Sequence, residues 1–500
     1  MTIAEAAEWF HVSAVTISNW IKEGFLKLAD DDKVSYQSAL LFYEQHAGKT
    51  KLHSRANKLQ KDRHDEQEVT DFINQEINAK RQIVNLGDRY EAKLSESYRN
   101  KEGIYYTPMT IVEDMMKDLT FDDSNSFLDP CCGSGNFLIA ALKAGANPKK
   151  VYGYDTDANA IKIARERLKQ YPHGDEVHLF CADFLEKAPE LKLRFDYVFT
   201  NPPWGKKLNK TTRQRYVKQY QSGSSYDTCS FFILATLPLM KQNGVVGMLL
   251  PESFFNIAIF EDTRKTLLEH QILGIKDYGK PFPTIQSNAC SIHYKISYVD
   301  DKNIIICNYR NQLYRRNQNT INLLPKHIFN YWSTEEDMVR IEQVLSQPYL
   351  TLEGHATWGI GIVTGNNAKI CKHSRQKGFV PIYRGQDILP GRFKAASLFI
   401  NPQDFPHCQQ VCSDALFKAP EKIVYRFISN NLVFHCDTHQ RYILNSANML
   451  VLHPDFPLTG KQLVMLMNDA FTNWLFQQLF HTHKVLRGDL ESLPLLINKL

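Results

Sequence analysis

Between about residues 103 and 299, short β-branched or aromatic runs alternate with longer stretches whose apolar positions recur every three or four residues. The short runs Ser126–Leu128, Lys150–Tyr154, Val177–Cys181, Tyr197–Thr200, Val245–Leu250 and Gly274–Tyr278 predict strands. Stretches such as Asn136–Lys143 and Ala158–Gln170 predict helices between them. This alternation predicts an α/β domain on a largely parallel, doubly wound sheet. A last strand over Ala289–Val299 is expected to run antiparallel, at or near the sheet edge.

The flanking segments read differently. Thr2 and Glu5 have capping-box spacing for a helix to about Phe10, and Ala14–Glu23 gives a second amphipathic helix closed by Gly24. Residues 1–46 thus have helix-turn-helix proportions and resemble the helix-turn-helix of excisionase and MerR-type proteins. On that reading Ser13, Thr16, Asn19 and Lys22 face DNA; the other reading is a helical cap that contacts protein. Residues 47–100 are polar, lack proline and read as a helical connector. The α/β domain follows over 101–300, then a second connector over 301–347. From 348 to 500 short strands, aromatic residues and Gly/Pro/Asn turns predict a separate α+β domain ending in a helix near Leu463–Phe480.

Composition narrows the class. Five hundred residues exceed one hydrophobic core, and a hydrophobic share of 43% suits a globular protein. No apolar run is long enough for a membrane span and the N-terminus lacks signal-peptide features, so a cytoplasmic monomer is expected. The ten cysteines are scattered and read as reduced packing residues. His407, Cys408, Cys412, His435 and Cys436 lie close in sequence but lack paired CxxC knuckles, so no metal is expected. The net charge of +5 permits a nucleic-acid partner without requiring one. From Lys206 to Lys218 six Lys or Arg occur with no Asp or Glu. That run, with Lys206 and Lys207 at its head, is either a solvated face or a phosphate contact.

Candidate chemistry clusters at the predicted strand ends. Asp129-Pro130-Cys131-Cys132-Gly133-Ser134-Gly135 joins the first strand to a helix, and Gly133 and Gly135 let backbone approach a ligand closely. The second strand ends in Asp155-Thr156-Asp157, where Asp155 can take ribose hydroxyls and Asp157 can cap the next helix. The third ends in Asp183-Phe184, an acceptor for an adenine amino group beside an apolar wall. Three carboxylates at successive strand ends make a nucleoside pocket. The fourth strand delivers Asn201-Pro202-Pro203-Trp204. Two prolines stiffen the loop, so the Asn201 side-chain oxygen and the Pro202 carbonyl can both accept hydrogen bonds from one amine. Two such bonds draw a conjugated amine's lone pair out of its ring, and Trp204 offers a face for a base to stack on. A base in a duplex reaches such a loop only by flipping out.

These residues resemble the gamma group of amino-methyltransferases, closely over about 100–300. The resemblance implies S-adenosylmethionine as cofactor on a Rossmann-like sheet, with Tyr106, Thr107 and Pro108 at its methionine end. Asp129, Cys131, Gly133 and Gly135 match the central cofactor motif, Asp155 and Thr156 the ribose segment, Asp183 and Phe184 the adenine pair. Asn201, Pro202, Pro203 and Trp204 match the catalytic motif, with Trp204 where Tyr or Phe is usual, and Phe282 matches the aromatic contact to the flipped base. The C-terminal region resembles the target-recognition domain of type II N6-adenine DNA methyltransferases, with Arg384 and Arg487 as candidate base or phosphate contacts. The resemblance implies duplex DNA as substrate and a cognate restriction endonuclease as a separate chain. The alternatives are an RNA or protein-glutamine methyltransferase with the same acceptor pair, or a non-catalytic DNA-binding regulator.

Overall fold

The computed structural model describes the chain apart from residues 11–16, 19, 22–25, 30–32, 47–65, 80–82, 95–98, 100–104, 207, 283–284, 286, 301 and 498–500. Two compact units form: Met1–Lys210 with Phe282–Thr284, and Thr211–Pro281 with Ile285–Leu500. The division falls inside the expected 101–300 domain.

In the first unit β1 (Phe127–Asp129), β2 (Val151–Asp155), β3 (His178–Cys181) and β4 (Phe195–Thr200) lie in the order β3-β2-β1-β4. The β1–β2, β2–β3 and β1–β4 pairs are all parallel. The chain starts at β1, winds outward through β2 and β3, then returns to the other side of β1. That reversal is the signature of a doubly wound sheet and opens a crevice beyond the carboxyl ends of β1 and β4. The helix over Asn136–Lys143 matches the sequence pattern, and that over Ala158–Leu168 buries Ala160, Ile161, Ile163, Ala164, Arg167 and Leu168 as one stripe.

Upstream of β1, the region read as a connector contributes to the core. Helices Glu66–Asn78 and Leu86–Lys93 bury Val69, Ile73, Leu86 and Tyr90 with Leu94, Ala160 and Ile163 in one apolar cluster. Their polar composition concealed a narrow apolar seam. The N-terminal helix Ile3–Trp9 carries the expected capping box: Thr2 Oγ1 accepts from Glu5 N and Glu5 Oε2 accepts from Thr2 N. It packs in a small cluster with Ile17, Leu26, Val34, Ala39 and Phe42. Ser13, Thr16, Asn19 and Lys22, the positions expected to face DNA, lie outside the described residues.

In the second unit β5 (Met240–Pro251), β6 (Gln271–Asp277), β7 (Ala289–Lys295), β8 (Ile304–Tyr309) and β9 (Gln312–Asn317) lie in the order β5-β7-β6-β8-β9. β7 is antiparallel to both β5 and β6, so the strand expected near an edge is interior. Ala289, Cys290, Ser291, Ile292 and Tyr294 of β7 are all buried, as successive residues of a strand covered on both faces should be. The 301–347 stretch is likewise more than a connector, because β8 pairs parallel with β6 and turns into β9.

The rest of this unit has four strands in the order β10-β18-β15-β16, where β10 is Ala356–Ile360, β15 Lys422–Arg426, β16 Phe434–Asp437 and β18 Ala447–Leu452. Three more, β11 (Val380–Tyr383), β14 (Leu398–Ile400) and β17 (Tyr442–Ile443), form the order β14-β11-β17, and β12 (Ile388–Leu389) pairs with β13 (Arg392–Phe393). Cys408 and Cys412 pack beside the apolar cluster these strands enclose. The single helix expected near Leu463–Phe480 is two, Gly460–Asn468 and Ala470–Phe480. Asp469 between them is extended and caps the second, accepting from Phe471 N and Thr472 N. Among the described residues no helix is long and apolar enough to cross a membrane.

If the upstream helices belong to the same core as β1–β4, Ile73→Ala should cost about 2–5 kcal/mol of unfolding free energy. Denaturant titration of the full chain measures this, and a loss below about 0.5 kcal/mol would show that the helices fold independently.

Candidate functional site

The crevice at the β1–β4 reversal gathers the chemistry. Asp129 ends β1, Thr200 ends β4, and both are buried. Thr200 Oγ1 donates to Asp129 Oδ1 at 2.7 Å, and Cys131 N donates to the same oxygen at 3.2 Å. The Cys131 sulfur lies 2.9 Å from Thr200 Oγ1 and 3.3 Å from the Asn201 carbonyl oxygen. Asp129 Oδ2 is buried with no hydrogen-bond partner. Burial pushes this carboxyl up to about 7, against the opposing pull of the Thr200 and Cys131 bonds.

The glycine turn after β1 works by what it lacks. Gly133 has φ +48°, and a Cβ there would meet Tyr106 Cε1 at 2.6 Å. Only glycine lets the Tyr106 ring lie against this turn. Behind the turn, Arg167 donates from one guanidinium nitrogen to Ser134 O at 2.6 Å and Asn136 Oδ1 at 2.7 Å. Asn136 Nδ2 in turn donates to Thr107 O at 2.8 Å. This buried arginine therefore holds both the glycine turn and the Tyr106–Thr107 segment. Sequence reasoning passed over it, although a basic residue on the apolar stripe of its helix was a signal.

A pocket of about 290 Å³, open to solvent, results. It is bounded by Tyr105–Thr107, Asp129, Cys131–Ser134 and Asn201. Pro108 stands just behind, as the N-cap of helix Met109–Met116. Gly135 (φ +90°) is the N-cap of helix Asn136–Lys143 and packs toward Ala164.

The other two expected carboxylates lie outside that pocket. Asp155 accepts from Gly133 N at 2.8 Å and from Asp157 N at 2.9 Å, and burial pushes it up to about 6. It thereby ties the glycine turn to the end of β2. Thr156 is exposed. Asp157 caps the next helix through Asn159 N at 2.8 Å, as anticipated. Asp183 is exposed and caps its short helix through Leu185 N at 2.9 Å. Phe184 differs from the expected wall: it is 1% exposed and packs edge-on to Tyr154 in the core.

Asn201 faces the pocket from the β4 side. Its Nδ2 donates to Tyr105 O at 3.0 Å, while its Oδ1 is buried with no hydrogen-bond partner. An orphaned buried acceptor costs about 1–3 kcal/mol, so a group that donates to it gains that much on arrival. Pro202 is buried and Pro203 and Trp204 are partly exposed. The Trp204 ring stands edge-on to Phe282, centroids 5.4 Å apart, and Phe282 also packs on Tyr105 at 5.6 Å. Phe282 itself is 3% exposed, so it buttresses the indole rather than offering a face of its own. Lys206 is half-buried and acts electrostatically on Asp155; Lys207 lies outside the described residues.

Arg384 and Arg487 belong to the second unit. The Arg384 guanidinium bonds Asp387 Oδ2 at 3.3 Å and Ser397 Oγ at 3.0 Å. Arg487 pairs with Glu491 at 2.9 Å and reaches over the Trp358 ring, with its side chain largely exposed. The Arg487 side chain is the more exposed of the two.

Comparison with known proteins agrees with this geometry. Residues 81–334 match the family model described as N-6 DNA methylase, and residues 380–495 match the TaqI-like C-terminal specificity domain. The type II methyltransferase M.VspI of a Vibrio species is 40% identical over 390 residues, which cover 78% of this chain and 96% of that protein. A type I restriction enzyme methylase subunit, MjaVII of Methanocaldococcus jannaschii, is 30% identical over 126 residues, 24% of this chain and 22% of that one. Among solved structures, the DNA complex of the type IIL restriction-modification enzyme MmeI has a TM-score of 0.54 at 10% identity, covering 80% of this chain and 69% of the other, a likeness of fold. With half the chain inside the family model and a 40% identical relative matched almost end to end, the chain belongs to the N-6 DNA methylase family.

Proposed function

We propose that this protein transfers a methyl group from S-adenosylmethionine to the N6 amine of a flipped-out adenine in duplex DNA. It does so as the modification enzyme of a restriction-modification system, acting as a monomer beside a separate endonuclease. The observation that carries the reading is the pair of unpartnered buried acceptors in one crevice, Asp129 Oδ2 and Asn201 Oδ1.

The pocket residues fit the cofactor. A methionine ammonium is a donor cation, and Asp129 Oδ2 is a buried acceptor without a donor. Tyr106 and Thr107 would flank the methionine end, and Gly133 leaves room where a side chain would intrude. Asp155 would take the ribose with its remaining lone pairs, and Asp183 the adenine amine. When bound, S-adenosylmethionine would supply a methyl carbon whose bond to the cationic sulfur breaks as the amine nitrogen bonds to it, with S-adenosylhomocysteine leaving and the amine's surplus proton passing to solvent.

The loop supplies the other half. Asn201 Oδ1 accepts one N–H of the target amine, and the Pro202 carbonyl accepts the second. Two accepted bonds favour a pyramidal nitrogen with its lone pair free. The Asn201 amide is held in that orientation because its nitrogen already donates to Tyr105 O. Trp204, backed by Phe282, stacks the base, a contact worth about 1–3 kcal/mol. The basic run after the loop, with Lys206 and Lys207, and Arg384 and Arg487 of the specificity domain contact the DNA, phosphates first and base edges second.

One assay tests the reading. The protein is incubated with radiolabelled S-adenosylmethionine and duplex DNA, RNA or protein, and labelled DNA is digested to nucleosides. N6-methyladenine is the expected product; label confined to RNA or protein, or no label at all, overturns it. Asn201→Ala should lower kcat by about 10²–10³ or more while changing cofactor affinity less than about threefold. Equal loss of both would mean that the loop binds cofactor instead.

Asp129 adds a pH signature. A cationic ligand favours its ionised form, and the free carboxyl titrates near 7. Cofactor affinity should therefore fall as pH is lowered, by about tenfold between pH 7.5 and 5.5. Calorimetric titration across that range should show the slope in the wild type and a flatter, weaker profile in Asp129→Asn.

A further inference from the structure

The helix Leu86–Lys93 precedes every motif assigned to the cofactor site, yet it touches three parts of that site's frame. Gly87 lies against the glycine turn, since a Cβ there would meet Ser134 Oγ at 2.3 Å. Tyr90, 2% exposed, donates from its hydroxyl to Asp157 Oδ2 at 2.5 Å. Glu91 accepts at Oε2 from the backbone N–H of Tyr106 at 3.1 Å, while Arg99 bonds its other oxygen at 3.4 Å.

These two bonds reach two different segments of the site's frame. The Tyr106 N–H belongs to the segment that bounds the pocket and lies on Gly133. Asp157 belongs to the turn whose backbone N–H donates to Asp155 Oδ1, at 2.9 Å. The Asp155 carboxylate in turn accepts from Gly133 N. One helix thus spans from the methionine side to the ribose side of the frame. Adjacent residues on a helix point about 100° apart, so Tyr90 and Glu91 can serve two directions at once.

We infer that Tyr90 and Glu91 are positioning residues for the cofactor, Glu91 fixing Tyr106 and Thr107 and Tyr90 fixing the Asp155–Asp157 turn. The inference rests on the cofactor reading above. It places two functional residues in a stretch whose composition suggests only a polar helix. Neither touches the reacting atoms, so both act on cofactor affinity and leave the chemical step alone. Glutamine at 91 keeps an oxygen for the Tyr106 N–H, whereas alanine removes the acceptor from that part-buried donor.

The test uses the full chain. Wild type, Glu91→Ala, Glu91→Gln and Tyr90→Phe are titrated calorimetrically with S-adenosylmethionine, and kcat and KM for cofactor and for duplex DNA are measured. The expected result is a Kd and KM for cofactor raised about tenfold in Glu91→Ala and about fivefold in Tyr90→Phe. Glu91→Gln should stay within about threefold of wild type, and kcat at saturating cofactor and KM for DNA should stay within about twofold throughout. A loss of kcat with cofactor KM unchanged, or equal losses in Glu91→Ala and Glu91→Gln, would overturn the inference. Should Glu91→Ala not fold, an unchanged cofactor Kd in Tyr90→Phe overturns it alone. A wild type that binds no S-adenosylmethionine overturns both this inference and the cofactor reading. A wild type that binds and methylates beside variants that bind as tightly overturns this inference only.

Discussion

The hydrogen bond from Thr200 to Asp129 joins the ends of two parallel strands at the point where the sheet reverses its winding. One partner lies in the cofactor motif and the other immediately precedes the catalytic loop. Because Thr200 occupies only Oδ1, the second carboxylate oxygen is left buried and unpaired. Cys131 extends the same contact to the Asn201 carbonyl. A site for two reactants must keep their sub-sites in register, since a displacement of about 1 Å costs orders of magnitude in rate. Here the register is set by strand pairing and one short side-chain bond, both in the least exposed part of the sheet.

Around that bond the site is built from unmet demand. Two acceptors, Asp129 Oδ2 and Asn201 Oδ1, are buried and without a hydrogen-bond partner, whereas the side chains around them make several bonds to the frame. Arg167 bonds both neighbouring segments, and Asp155 receives two backbone donors. These bonds fix the geometry, and the two unpartnered oxygens gain most when a donor arrives. The aromatic side follows the same division: Phe282 is buried and structural, and Trp204 keeps exposed surface for a base. The indole that stands in place of a smaller ring packs perpendicular to Phe282, with centroids 5.4 Å apart, and stays partly exposed.

Much of this was legible before any fold was known. Strands β1 to β4 appear within two residues of their sequence-based limits, because each is a β-branched or aromatic run closed by a turn residue. Asp129, Gly133 and Asn201 stand where spacing placed them, at carboxyl ends of parallel strands, since strand direction alone decides which end carries the motif. The misjudged parts share one cause. The helices Glu66–Asn78 and Leu86–Lys93 read as a connector because their apolar seam is narrow, and β7 reads as an edge strand although both its partners, β5 and β6, precede it in the chain. Phe184 and Phe282 were assigned to ligand faces because an aromatic residue beside a motif looks the same whether it lines a pocket or supports one.

The sequence by itself determined the local chemistry: which carboxylates end strands, where glycine permits close approach, and where two prolines stiffen a loop behind an amide. Such properties depend on a few consecutive residues and on backbone geometry. Only the tertiary structure decided which of those groups share one crevice and which also serve as helix caps. It also revealed that Arg167, Tyr90 and Glu91 hold the frame from positions with no motif. Hydrogen-bond satisfaction and burial are set by segments far apart in the chain, as the bond between Tyr90 and Asp157 illustrates. No local pattern encodes them.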